Sequence, residues 1–91
     1  MSLGKRIAVF ASGGGTNLQA VMDACLEGSI PGEVVLVVYN RKQAYARERA
    51  ERADIPTRYI NKLMFETPEE KDAAILDTLR EYHIDIIVLA G

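Results

Sequence analysis

Six consecutive residues, Ser12-Gly13-Gly14-Gly15-Thr16-Asn17, carry the chemistry most open to recognition in this sequence. An apolar run, Ile7-Ala8-Val9-Phe10-Ala11, leads into them, and an amphipathic stretch from Leu18 to Leu26 follows. The pattern is strand, glycine loop, helix. Three glycines in a row let the backbone adopt positive φ and approach a ligand with no Cβ in the way. The helix then begins with unpaired N–H groups and the positive end of its dipole, which together favour an anion, most commonly a phosphate. Thr16 and Asn17 are short polar residues able to cap the helix or donate to a phosphate oxygen.

The elements that must hold this loop follow from periodicity. Arg6–Ala11 reads as a first strand buried on both faces, since its apolar residues do not alternate with polar ones. Residues 17–27 read as a helix with Leu18, Val21, Met22 and Cys25 on one face, ended by Gly28 as a left-handed cap. Pro31-Gly32 reads as a turn. Glu33–Tyr39 is a continuous β-branched run suited to a central parallel strand. A polar loop from Asn40 leads to a helix over Ala44–Ala53, with Ala46, Ala50 and Ala53 facing the sheet and charge pairs such as Glu48 and Arg52 facing solvent. Thr57–Ile60 is a short third strand and residues 61–66 a loop.

Thr67-Pro68-Glu69-Glu70 starts a third helix, with Thr67 as cap, Pro68 at the first helical position and Glu70 closing a capping box. This helix runs to about Tyr82, with Ile75, Leu79 and Tyr82 inward. Ile84–Ala90 is the fourth strand, and Ile86-Ile87-Val88-Leu89 its expected buried core. The order β-α-β-α-β-α-β predicts a Rossmann-like α/β fold, an open parallel sheet wound on both faces. The sequence stops at Gly91 directly after a core strand, so the reading is a sheet truncated after the fourth strand.

Composition narrows the function classes. With 91 residues the chain forms one domain at most, and 48% hydrophobic and 26% charged residues are ordinary globular values. A net charge of -2 argues against a nucleic-acid partner. Cys25 is the only cysteine, so no internal disulfide or cysteine zinc cluster forms, and it reads as a buried core thiol. No apolar run reaches membrane-spanning length and the N-terminal residues lack a signal-peptide core, so the reading is cytoplasmic. A homo-oligomer formed by strand exchange at the fourth-strand edge is compatible with the sequence.

Two phosphate motifs fit poorly. The P-loop pattern fails because neither the loop nor the first helix carries a lysine. The dinucleotide fingerprint is half met by Gly13 and Gly15, but Leu18 stands where its third glycine belongs. Arg41 at the end of the second strand leaves a non-catalytic, NADP-like nucleotide-binding module as the alternative reading. His83 reads as a helix-end residue, Asp85 opens the fourth strand far from the glycine loop, and Asp72, Asp77 and Glu81 form a solvated face.

The segment Ser12-Gly13-Gly14-Gly15-Thr16-Asn17-Leu18-Gln19-Ala20 resembles the phosphate loop of the glycinamide ribonucleotide transformylase (phosphoribosylglycinamide formyltransferase) family. The likeness recurs at Ile30 to Val34, Asn40-Arg41-Lys42, Ala44-Tyr45-Ala46, Glu48-Arg49-Ala50 and Ile55-Pro56-Thr57, and ends in Asp85-Ile86-Ile87-Val88-Leu89-Ala90-Gly91. It implies a formyltransferase acting in purine biosynthesis, with glycinamide ribonucleotide as substrate and 10-formyltetrahydrofolate as co-substrate. It further implies that Gly13, Gly14, Gly15, Thr16, Asn17 and Leu18 hold the substrate's 5′-phosphate, and that Gly91 begins a loop touching both ligands. Residues 1–91 would then be the N-terminal, phosphate-binding part of the domain. The family's catalytic Asn, His and Asp fall beyond the position of Gly91, so the 91 residues alone are expected to be inactive. Many members carry an arginine near the pterin at the start of the third helix, where this chain has Pro68.

Overall fold

The computed structural model describes residues 4–11, 16–41 and 45–90. Lys5–Ala11 (β1), Gly32–Tyr39 (β2), Thr57–Tyr59 (β3) and Ile86–Leu89 (β4) form one parallel sheet in the order β3-β2-β1-β4. Helices Thr16–Glu27 (α1), Tyr45–Arg52 (α2) and Pro68–Glu81 (α3) make the crossovers. On one face, Ile7, Val9, Ala11, Val37 and Tyr39 pack against Leu18 of α1 and Ala46 and Ala50 of α2. On the other, Ala8, Leu36, Val38 and Ile60 meet Ile75 and Leu79 of α3 and Tyr82 at its C-terminal cap. The sheet is thus doubly wound, and the expected Rossmann-like α/β architecture is the observed one.

The two faces are set by a register shift. Ile7 pairs with Val34 but Ala8 pairs with Leu36, so Val35 is an extra residue in β2. The bulge inverts the side-chain alternation. Val34 therefore joins Val37 on the α1/α2 face, while Leu36 and Val38 face α3.

Several local expectations change. Gly32 closes the turn at Pro31, its N–H donating to the Ile30 carbonyl at 2.8 Å, and β2 already begins there. Helix α2 ends at Arg52, so Ala53 leaves the small-residue face and is exposed. Its i,i+4 ion pair is Arg47–Glu51 at 2.9 Å, rather than the expected Glu48–Arg52 example. Strand β3 stops at Tyr59, and Lys62–Met64 in the expected loop forms a 3-10 turn capped by Asn61. Glu70 does not close a capping box on Thr67, because its carboxylate accepts the N–H of Glu66 at 3.2 Å.

The largest correction concerns β4. Its side chains are not a buried core: Ile86 is 39% exposed, Ile87 46% and Leu89 81%. Strand β4 pairs with β1 along one edge only among the described residues, so little covers its faces or its outer edge. Cys25 is also half-buried rather than buried. Burial still pushes its thiol pKa upward, which keeps it protonated and a poor nucleophile near neutrality.

Helix ends follow the sequence. Gly28 has φ +87°, the left-handed conformation expected of it, and its N–H returns to the Cys25 carbonyl at 3.2 Å. Thr67 caps α3 by accepting the Glu70 N–H at 3.2 Å, with Pro68 at the first helical position. Thr67→Ala is expected to cost about 1 kcal/mol. Urea unfolding reads this directly, and an unchanged midpoint would mean that Pro68 and the acidic first turn start the helix without the cap.

Candidate functional site

In an open α/β sheet, ligands bind beyond the carboxyl ends of strands where the winding reverses. Here that point lies between β1 and β4, because α1 and α2 cover one face and α3 the other. The two strands are locked together at this end: the Ala90 N–H donates to the Phe10 carbonyl at 2.8 Å. The carboxyl ends of β1 and β4 therefore lie side by side where the winding reverses. Gly13, Gly14, Gly15 and Gly91 themselves lie outside the described residues.

Thr16 and Asn17 are within the first turn of α1. Asn17 is exposed at that helix mouth. The Leu18 side chain is fully buried in the core. What Leu18 can offer an anion is its backbone N–H, one of the first-turn donors lacking a helical acceptor. By burying its side chain, Leu18 fixes where those donors point.

Other candidate groups are elsewhere. The Arg6 N–H donates to Asp85 Oδ2 at 2.8 Å and the Asp85 N–H to the Arg6 carbonyl at 2.8 Å, which ties Asp85 to the opposite end of β1. His83 is exposed just beyond α3, at φ +53°, and acts as a helix-end residue. Glu81 pairs with Arg58, whose guanidinium also lies 5.6 Å from the Tyr82 ring centroid. Asp72 and Asp77 are solvated. Arg41, on which the NADP-like alternative depends, is exposed after β2. Among the described residues no cluster of His, Cys, Asp or Glu could hold a metal, and no helix is long and apolar enough to cross a membrane.

Two features at the carboxyl ends escaped the sequence reading. Asn61 Nδ2 donates to the Asn40 carbonyl at 2.8 Å, which fastens the segment after β3 to the segment after β2. Beside it, a cleft of about 300 Å³ opens between the ends of β1 and β2 and the first turns of α3, with Lys71 in its lining. The signal for Lys71 was a cation in the first turns of a helix, which the dipole disfavours.

The chain's relatives fit this geometry. Residues 5–91 match the formyl transferase family. The chain is 45% identical over 87 residues to a phosphoribosylglycinamide formyltransferase from Haemophilus influenzae, covering 96% of this chain and 41% of that protein. It superposes with a TM-score of 0.89 on glycinamide ribonucleotide transformylase 1 from Symbiobacterium toebii, at 42% identity, over 97% of this chain and 42% of that one. For the phosphoribosylglycinamide formyltransferase from Bacillus halodurans the TM-score is 0.91 at 34% identity, over 96% and 45% of the two chains. The chain thus spans about two fifths of the length of these relatives. A matched family pattern over nearly every residue and the same sheet in solved relatives lead to one conclusion: the chain belongs to the formyl transferase family.

Proposed function

We propose that the chain is the phosphate-binding part of an enzyme that moves a formyl group from 10-formyltetrahydrofolate to the amine of glycinamide ribonucleotide, in the cytoplasm. Gly13, Gly14, Gly15, Thr16, Asn17 and the Leu18 N–H would seat the substrate's 5′-phosphate, and Gly91 would open the loop facing both ligands. The observation that supports this reading is the Phe10–Ala90 hydrogen bond, which holds the carboxyl ends of β1 and β4 side by side at the reversal of the sheet.

Amine attack on a formyl carbon produces a tetrahedral oxyanion that needs a donor such as Asn or His⁺, and a carboxylate to relay protons. Asp85 and His83 are not placed for this work, so the reading assigns it to residues outside the 91. The open edge and exposed apolar side chains of β4 offer the surface on which a catalytic half would add.

Gly15→Pro and Asn17→Ala are each expected to weaken glycinamide ribonucleotide binding by about tenfold or more, the scale of one lost hydrogen bond to a charged group. Calorimetric titration of the protein with that ligand checks it. Unchanged affinity in both variants would remove the phosphate-loop assignment, and saturable NADPH binding would favour the dinucleotide alternative instead.

A further inference from the structure

We propose that Met64 is an oxidation site: a peroxide converts its thioether to the sulfoxide, and the new oxygen tightens the Asn61 clamp on Asn40. Asn61 is engaged through its backbone and its side chain alike. Its side-chain amide donates to the Asn40 carbonyl at 2.8 Å, and its Oδ1 accepts the Leu63 N–H at 2.8 Å. Its carbonyl accepts the Met64 N–H at 3.0 Å, and its own N–H donates to Met64 Sδ at 3.4 Å. The last of these bonds ends on sulfur and the others on oxygen. A thioether is a weak acceptor, so the Met64 contact is the weak link of the cap. Helical capping boxes ordinarily place Glu or Gln at this position, with an oxygen facing the cap N–H.

Access and chemistry single out this sulfur. Met64 is 55% exposed, whereas Met22, the other methionine among the described residues, is half-buried beside the core of the α1/α2 face. Burial keeps the Cys25 thiol protonated, which leaves little thiolate to compete for the oxidant. In the reaction a sulfur lone pair attacks one peroxide oxygen, so an S–O bond forms and the O–O bond breaks. The second oxygen leaves as hydroxide and takes a proton to become water. Sulfur loses two electrons and the peroxide gains them. The product carries the oxygen acceptor that the cap lacks. Met64 lies outside the buried core, so the gain in polarity disrupts no packing. The clamp joins the segments after β2 and β3 at the carboxyl end of the sheet, and the oxidation state of Met64 sets how firmly they are held. Reduction of the sulfoxide reverses the change.

The test treats the isotope-labelled protein with hydrogen peroxide and follows it by peptide mass mapping and by amide exchange in NMR. Met64 is expected to gain one oxygen before Met22 or Cys25 does. The Asn61 amide should then exchange about three times more slowly, the scale of replacing a weak hydrogen-bond acceptor by a strong one. Met64→Gln places an amide oxygen there without oxidant and should slow the Asn61 amide likewise. Met64→Leu has no acceptor, so it should quicken that amide and abolish its response to peroxide. Oxidation of the wild-type chain needs no substitution, and retained amide dispersion establishes that the variants fold. Oxidation of Met22 or Cys25 ahead of Met64 overturns the proposal, as does Asn61 exchange that is unchanged or faster in the sulfoxide. No phosphate ligand enters the experiment, so its failure leaves the glycine-loop reading standing.

Discussion

Leu18→Ala is expected to destabilise the protein by about 2–5 kcal/mol, the range for deleting a fully buried leucine side chain. Leu18 is the one wholly buried side chain among those described in α1, packed in the cluster of Ile7, Val9, Ala11 and Val37. Val21, Met22 and Cys25 only partly bury themselves along the same helix. A domain whose whole stability lies within roughly 5–15 kcal/mol loses a large share of it. The effect also reaches the site, because the residue that sets the depth of α1 sits in its first turn. Leu18→Met conserves volume and should cost less than about 1.5 kcal/mol. Denaturant unfolding of the two variants makes the comparison. A loss below about 1 kcal/mol for Leu18→Ala would show that α1 is seated by its half-buried residues instead.

Gly32→Val carries the second large effect. A Cβ at Gly32 would lie 2.6 Å from the Lys5 carbonyl oxygen and 2.9 Å from Ile7 Cδ1. The oxygen belongs to the β1 backbone where it pairs with β2, so it cannot move aside as a flexible side chain would. The requirement is for space. Gly32→Ala is expected to cost about 1–3 kcal/mol, and the branched valine more, since overpacking a fixed backbone forces the strands apart. Thermal unfolding of the pair would measure it. Equal midpoints for wild type and Gly32→Val would mean that the amino ends of β1 and β2 separate at little cost.

These two residues show where local reading reached its limit. Leu18 was legible as part of an apolar helical face, and also as part of a phosphate motif. Only the packed structure divides its roles, with the side chain in the core and the N–H at the helix mouth. Gly32 beside Pro31 has the signature of a turn. Its role depends on Lys5, a residue 27 positions earlier in sequence (32 − 5), and no local pattern contains that contact.

The Val34–Val38 run was legible as a central strand because it is apolar throughout. That same uniformity hides which residue faces which way. The bulge at Val35 decides it, and a uniform run gives no alternation from which to find a bulge. For Ile86–Leu89 the reverse holds. Four apolar residues predicted a buried strand, yet burial is a property of neighbours, and β4 has one strand beside it among the described residues.

The sequence by itself determined the succession of strands and helices, the left-handed stop at Gly28 and the Thr67 cap. Each rests on contacts or conformations within a few residues of chain. The tertiary structure decided the order β3-β2-β1-β4, the bulge, the exposure of β4, the Asn61–Asn40 clamp and the placing of Lys71 in a cleft. Those depend on which distant segments meet, and long-range pairing is settled by the packing of the whole sheet between its helices.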